Sequence, residues 1–264
     1  MAPKVSRRAR PYHRRMAVLP ASVRVSLWAT AALHGRLPLE EVPGRALPDL
    51  DHCEGLVPRL QVWRDLGERV VLVALPRPGD VTGLPRGGPE LLAAATDAEE
   101  AVFVPGLGGV LVPRVRPYGP EGDQGWQAVW QAFDADPVPV HRVQALDPAE
   151  AELRLRRDLA ALTDRLAAVP GLPLDGLAAG GAVRDRVDRE WGLPDGPGPR
   201  VLRLLTLSGR LLAIAEAGLD RGVEAADVTS TQQRRQVLGE LQDRARQALV
   251  VATNAAALEL AGLR

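Results

Sequence analysis

The spacing of apolar residues changes character near residue 146. Before it, short apolar runs alternate with helical stripes. After it, only helical periodicity remains. In the first part, Ser22 reads as an N-cap ahead of a stripe of Val25, Trp28, Ala29 and Ala32, with Gly35 as the stop and Pro38 following. A second short helix over 55–66 buries Leu56, Leu60 and Trp63 and stops at Gly67. Val70-Val71-Leu72-Val73-Ala74-Leu75 is a continuous apolar run, the pattern of a strand covered on both faces. A loop from Pro76 to Pro89 follows, and Pro89 opens a helix through Glu99.

Ala101–Val104 and Val110–Arg116 form a hairpin through Pro105-Gly106-Leu107-Gly108-Gly109. Pro113 and Pro117 place its second strand near a sheet edge. Trp126, Val129, Trp130 and Phe133 share one face of a helix predicted over Gly125–Ala135, and Val138–Val143 reads as an edge strand. Asp147-Pro148-Ala149-Glu150 is a helix start, with Asp as N-cap, Pro at N1 and Glu at N3. Leu155, Leu159, Leu162 and Leu166 carry that helix to about Ala168. A linker over 170–181 and a short helix ending near Trp191 come next. A helix from Arg200 to Ala217 is stopped by Gly218, and a last one runs from Ser230 to about Leu260.

These elements predict an α+β fold: a small mixed sheet with flanking helices over 16–145, then an all-helical region over 146–264, preceded by a basic tail over 1–15. Too few strands alternate with helices for a doubly wound sheet or a β/α barrel.

Composition then limits what the arginines mean. The chain has 32 arginines but one lysine, one isoleucine and one asparagine. That imbalance is the mark of a G/C-rich genome, so arginine, glycine and proline richness alone is weak evidence for nucleic-acid binding. Codon bias does not explain the charge split. Eight basic residues and no acidic one precede Glu40, giving +8, and the remainder carries −8. Lys4, Arg7, Arg8, Arg10, Arg14 and Arg15 concentrate that charge in a tail that could contact nucleic acid or an acidic protein partner. A start at Met16 instead of Met1 would remove it. No stretch approaches the roughly 18 apolar residues of a membrane span. Cys53, the only cysteine, excludes an internal disulfide, so a cytoplasmic setting is expected.

Familiar chemistries are thinly supplied. Lys4 is the sole lysine, which argues against P-loop and Schiff-base mechanisms. Gly106-Leu107-Gly108-Gly109 leads into a strand, not a helix, so it reads as a turn rather than a phosphate cradle. Asp49, Asp51, His52, Cys53 and Glu54 crowd together but offer too few nitrogen and sulfur donors for zinc, and the adjacent acids should raise the Cys53 pKa. Ser208 falls inside a helical pattern. Trp126, Trp130 and Phe133 read as core before they read as a stacking platform. Arg234, Arg235, Arg244 and Arg246, interleaved with glutamines, read as a solvated face. No metal and no cofactor is expected.

The Pro76–Pro89 loop leaves the C-terminal end of the most buried strand, where open sheets bind ligands. Arg77, Asp80, Thr82 and Arg86 are its candidate anion-binding residues. Two readings follow. One is a non-catalytic binding or adaptor protein, its basic arm (Arg7, Arg8, Arg10, Arg14, Arg15) meeting a polyanion. The other is a small-molecule enzyme or sensor built on the loop.

Leu19-Pro20-Ala21-Ser22 with Leu27-Trp28, Pro78-Gly79-Asp80-Val81-Thr82-Gly83-Leu84-Pro85, and Asp134-Ala135-Asp136-Pro137 resemble a family of uncharacterised actinobacterial proteins of about this length. The resemblance covers most of 17–264 and implies no activity.

Overall fold

The apolar run at 70–75 holds a fully buried three-residue strand at one edge of the sheet. The computed structural model describes residues 19–120, 124–169, 192–220 and 228–264; the basic segment 1–15 and the linker and short helix expected over 170–191 lie outside them. In chain order the elements are α1 (Ala21–Leu33), a 3-10 turn (Leu39–Glu41), α2 (Val42–Ala46), β1 (His52–Glu54), α3 (Leu56–Asp65), β2 (Leu72–Ala74), α4 (Pro89–Ala98), β3 (Ala101–Phe103), β4 (Gly109–Tyr118), β5 (Gly125–Asp134), α5 (Val140–Gln144), α6 (Pro148–Ala167), α7 (Pro199–Asp220) and α8 (Val228–Leu260). The sheet order is β1-β5-β4-β3-β2, with β1 parallel to β5 and the other pairs antiparallel. This is the α+β fold with a mixed sheet and a helical C-terminal region that the sequence predicts. No helix among the described residues is long and apolar enough to cross a membrane.

Four expectations are corrected. Gly125–Asp134 is a strand, not a helix, paired with β4 along its whole length from Gly109↔Asp134 to Tyr118↔Gly125. Trp126, Trp130 and Phe133 fit one helical face, but the segment also satisfies period two. Ala128 and Trp130 enter one core, and Phe133 packs against the other. Val138–Val143 is not an edge strand; it holds the short helix α5. Ser22 is not an N-cap. Pro20 caps α1, and the Ser22 backbone N–H donates to Glu100 Oε2 at 2.8 Å. Gly218 does not stop α7, which continues to Asp220. A Cβ at Gly218 would stand 3.0 Å from Leu238 Cδ1, so this glycine permits close approach of α7 and α8.

Other signals hold as expected. Asp147 Oδ1 accepts from the Ala149 N–H at 2.8 Å and opens α6. The glycine-rich segment 105–109 is a hairpin turn. Gly108 has φ +74°, and a Cβ there would collide with the Ala135 carbonyl oxygen. Glu68, buried beside that turn, accepts from the Leu107 N–H at 2.5 Å. Burial raises the Glu68 pKa despite the opposing backbone N–H groups of Leu107 and Gly106.

One face of the sheet meets α1, the 3-10 turn and α3 through Val25, Leu39, Leu60, Trp63, Leu111 and Trp130. The other meets α4 and the long C-terminal helices through Leu91, Val112, Leu205 and Leu249. This second core draws residues from both halves of the chain.

Strand β2 is an edge strand, yet Leu72, Val73 and Ala74 are fully buried. Buried backbone groups need partners, and here side chains supply them. The Val71 N–H donates to Thr30 Oγ1 at 3.0 Å, and Ser26 Oγ donates to the Val71 carbonyl at 2.7 Å. The Val73 N–H donates to Asn254 Oδ1 at 2.8 Å, and Asn254 Nδ2 donates to the Val73 carbonyl at 3.1 Å. The single asparagine of the chain thus acts as one residue of a missing strand.

Asn254→Ala would leave both Val73 groups buried and unpaired. At about 1–3 kcal/mol for each group, stability in urea denaturation should fall by about 2–6 kcal/mol. Arg235→Ala on the exposed face of α8 should stay within about 0.5 kcal/mol of the wild type. For Glu68, the raised folded-state pKa means its contribution is fully present below the ordinary carboxylate range and is lost as pH rises through the raised value. The melting temperature of the wild type relative to Glu68→Gln should therefore fall between pH 4 and pH 8; a flat difference would contradict the assignment.

Candidate functional site

The chain leaving β2 forms one wall of a cavity of about 870 Å³. Its other walls are the segment 136–146, which contains α5, the start of α6, and one face of α8. That face presents Asp243, Arg246, Gln247, Val250, Val251 and Asn254, successive turns of one stripe. Leu75, Leu84, Phe103, Val138, Val143 and Leu146 make most of the remaining apolar lining. The four loop residues singled out from the sequence, Arg77, Asp80, Thr82 and Arg86, all line it.

The loop begins with a tight turn in which Arg77 and Asp80 exchange backbone hydrogen bonds at 2.7 and 2.9 Å. Asp80 Oδ1 accepts from the Thr82 N–H at 3.0 Å. The Thr82 hydroxyl and backbone hold the Asp80 carboxyl below its ordinary pKa range, with smaller help from Gln247 and Arg77. Further along, the Arg86 carbonyl accepts from the Asp136 N–H at 2.6 Å, which seats the loop against the end of β5.

Five arginines reach the cavity, two from the loop (Arg77 and Arg86) and one each from α5, α6 and α8, and their partners separate them. Arg246 is buried. It donates to Glu99 Oε2 at 2.6 Å and to the Glu99 carbonyl at 3.3 Å, and lies 3.6 Å from Glu216 Oε1. Breaking a buried pair of this kind costs about 3–5 kcal/mol, so Arg246 is fixed. It also fixes Glu99, a non-glycine residue at φ +59° that ends α4. Arg77 pairs with Asp243, with side-chain exposures of 27 % and 50 %. Arg154 pairs with Glu150 at 2.5 Å in full view of solvent. Such solvated pairs are worth about 0–1 kcal/mol. Arg86 and Arg142 have no carboxylate within salt-bridge distance among the described residues.

Sequence reasoning missed Arg142, Asp243, Arg246 and Gln247. Arg234 and Arg246 are buried, so the arginines of the last helix do not all lie on a solvated face. No local pattern marks this, because the partner Glu99 is 147 positions away.

The other candidates disperse. Asp49 holds Arg24 with oxygens at 2.6 and 3.3 Å, Asp51 Oδ2 accepts from the Trp126 N–H at 2.8 Å, and His52 packs on Tyr118. No group of three or more possible metal ligands occurs among the described residues. Residues 52–54 form the short strand β1. Ser208 is buried, its hydroxyl donating to the carbonyls of Leu204 and Leu205 within α7. Cys53 and His141 are not among the cavity-lining residues. The Cys53 thiol is pushed up to about 11, chiefly by burial; the Glu54 carboxylate adds to this and the Trp130 indole opposes it. The direction matches the sequence expectation, but burial, not a crowd of acids, is the main cause. The arm residues Arg7, Arg8, Arg10, Arg14 and Arg15 lie outside the described residues.

A family model described as Rv1486c-like protein, N-terminal domain, matches residues 22–147, and one described as Rv1486c-like protein, C-terminal domain, matches residues 149–250. The chain belongs to this family, an actinobacterial one, in agreement with the resemblance drawn from its motifs. No curated protein and no solved structure matches the chain.

With its pKa near 11, Cys53 should react with a disulfide reagent at pH 8 about a hundredfold more slowly than the same chain in urea. Its rate should still be climbing at pH 10, which stopped-flow absorbance would follow.

Proposed function

We propose that this Rv1486c-like protein binds a small amphipathic organic anion in the cavity between the Pro76–Pro89 loop and α8. The observation that carries the reading is the contrast among the rim arginines. Arg77, Arg154 and Arg246 are held by carboxylates of the protein, whereas Arg86 and Arg142 stand at the same cavity with no carboxylate in salt-bridge distance among the described residues. Guanidinium groups hold carboxylates and phosphates without giving up a proton, so the set supports binding or sensing more than turnover. The apolar lining would take the body of the ligand, and about 870 Å³ lies within the roughly 300–1,000 Å³ usual for small-molecule sites. Arg77, Asp80 and Thr82 would order the loop, with Arg86 and Arg142 meeting the acid group.

A second reading concerns the arm. The +8 charge ahead of Glu40 supports contact with nucleic acid or an acidic protein partner, independently of the cavity. A single cysteine is compatible with the cytoplasm as the place for both activities.

Calorimetry with decanoate and its neutral counterpart decanol tests the cavity. Decanoate should bind more tightly, and Arg86→Gln and Arg142→Gln should each weaken it about tenfold while leaving decanol unchanged. Equal losses for both ligands would overturn the reading. For the arm, anisotropy with labelled duplex DNA should show affinity falling steeply from 50 to 200 mM salt and lost on deleting residues 1–15. Equal binding with and without those residues would remove it.

A further inference from the structure

Asp243 and Arg77 both line the cavity, and they hold each other. We infer that Asp243 is a resident competitor that an incoming anion must displace from Arg77, so that the cavity contains its own inhibitory carboxylate. This inference rests on the cavity being a ligand site, and it concerns how that site is regulated.

Three observations support it. First, the pair is solvated on both sides, with Asp243 half exposed, so it is the kind of contact that a better-enclosed acid can replace. Arg246, one turn of α8 away and buried against Glu99, cannot exchange in the same way. Second, Arg77 belongs to a closed unit. Its backbone is bonded to Asp80, and Asp80 is bonded in turn to Thr82, so whatever holds the Arg77 guanidinium also holds the turn against α8. Third, Gly79 lies inside that turn at φ +89° and Gly83 follows it at φ +85°, each with open space where a Cβ would stand. At these two positions no neighbouring atom packs against the turn. An anion already anchored on Arg86, at the far end of the same loop, would draw Arg77 away from Asp243 and take its charge. Gln247 of α8 also favours the charged form of the Asp80 carboxyl, as a minor contribution.

Calorimetric titration of the full chain with decanoate tests this, using Asp243→Asn, Arg77→Gln and the double variant. Asp243→Asn should tighten binding about three- to fivefold, because Arg77 becomes available. Arg77→Gln should weaken binding, and in that background Asp243→Asn should have no effect. Tightening of equal size in the Arg77→Gln background would mean that removing any negative charge suffices, and would overturn the inference. Unchanged or weaker binding by Asp243→Asn would do the same. If Arg86→Gln and Arg142→Gln weaken decanoate but Asp243→Asn does not tighten it, only the competition fails and the cavity reading stands. Failure of the wild type to bind decanoate would remove both. Asp243→Ser, which lacks the amide, provides the same comparison if the asparagine disturbs α8.

Discussion

A buried strand edge needs hydrogen-bond partners, and the arrangement of this molecule follows from how β2 finds them. Its outward-facing backbone groups have no neighbouring strand. α1 brings Ser26 and Thr30 to Val71, and α8 brings Asn254 to Val73. Both helices are thereby fixed against the sheet by groups that cannot be released without leaving donors and acceptors stranded in an apolar interior. Edges are usually protected by charge, proline or brevity; this one is completed by side chains. Because α8 is anchored at Asn254, its preceding turns pass the end of β2 at a fixed height. Arg246 and Gln247 consequently face the loop that leaves that strand.

Burial then decides what each charged group can do. Arg246 and Arg24 sit in the interior with close carboxylate partners and act as fasteners, between α8 and the end of α4 and between α1 and the segment before β1. Arg77 carries the same chemical group but shares it with solvent, so its contact is weak and replaceable. Arg86 and Arg142 have no carboxylate within salt-bridge distance among the described residues. One residue type that codon bias made abundant is thus sorted by environment into buried fasteners and solvated side chains.

How much of this was legible in the sequence depends on the range of the interactions. The run at 70–75, the Asp147 cap and the leucine stripe of α6 were readable because each depends on near neighbours in the chain. β5 was not, because Trp126, Trp130 and Phe133 satisfy both a helical stripe and a two-sided strand; the ten-residue match to β4 decides between them. The loop could be singled out because it follows a buried strand, and its four candidates do meet at one cavity. The wall opposite comes from residues about 160 positions away, as with Arg77 and Asp243, and neither their burial nor their pairing leaves a local trace.

The Asn254 contact also has a temporal side. It spans 181 positions, so the edge of β2 has been synthesised long before the residue that completes it. At bacterial elongation rates of about 5–20 residues per second, the gap is on the order of 10–40 seconds. For that interval a nascent chain displays an apolar, hydrogen-bond-hungry ribbon, and a chaperone or a neighbouring polypeptide on the same polysome would meet it before its own C-terminal helix does.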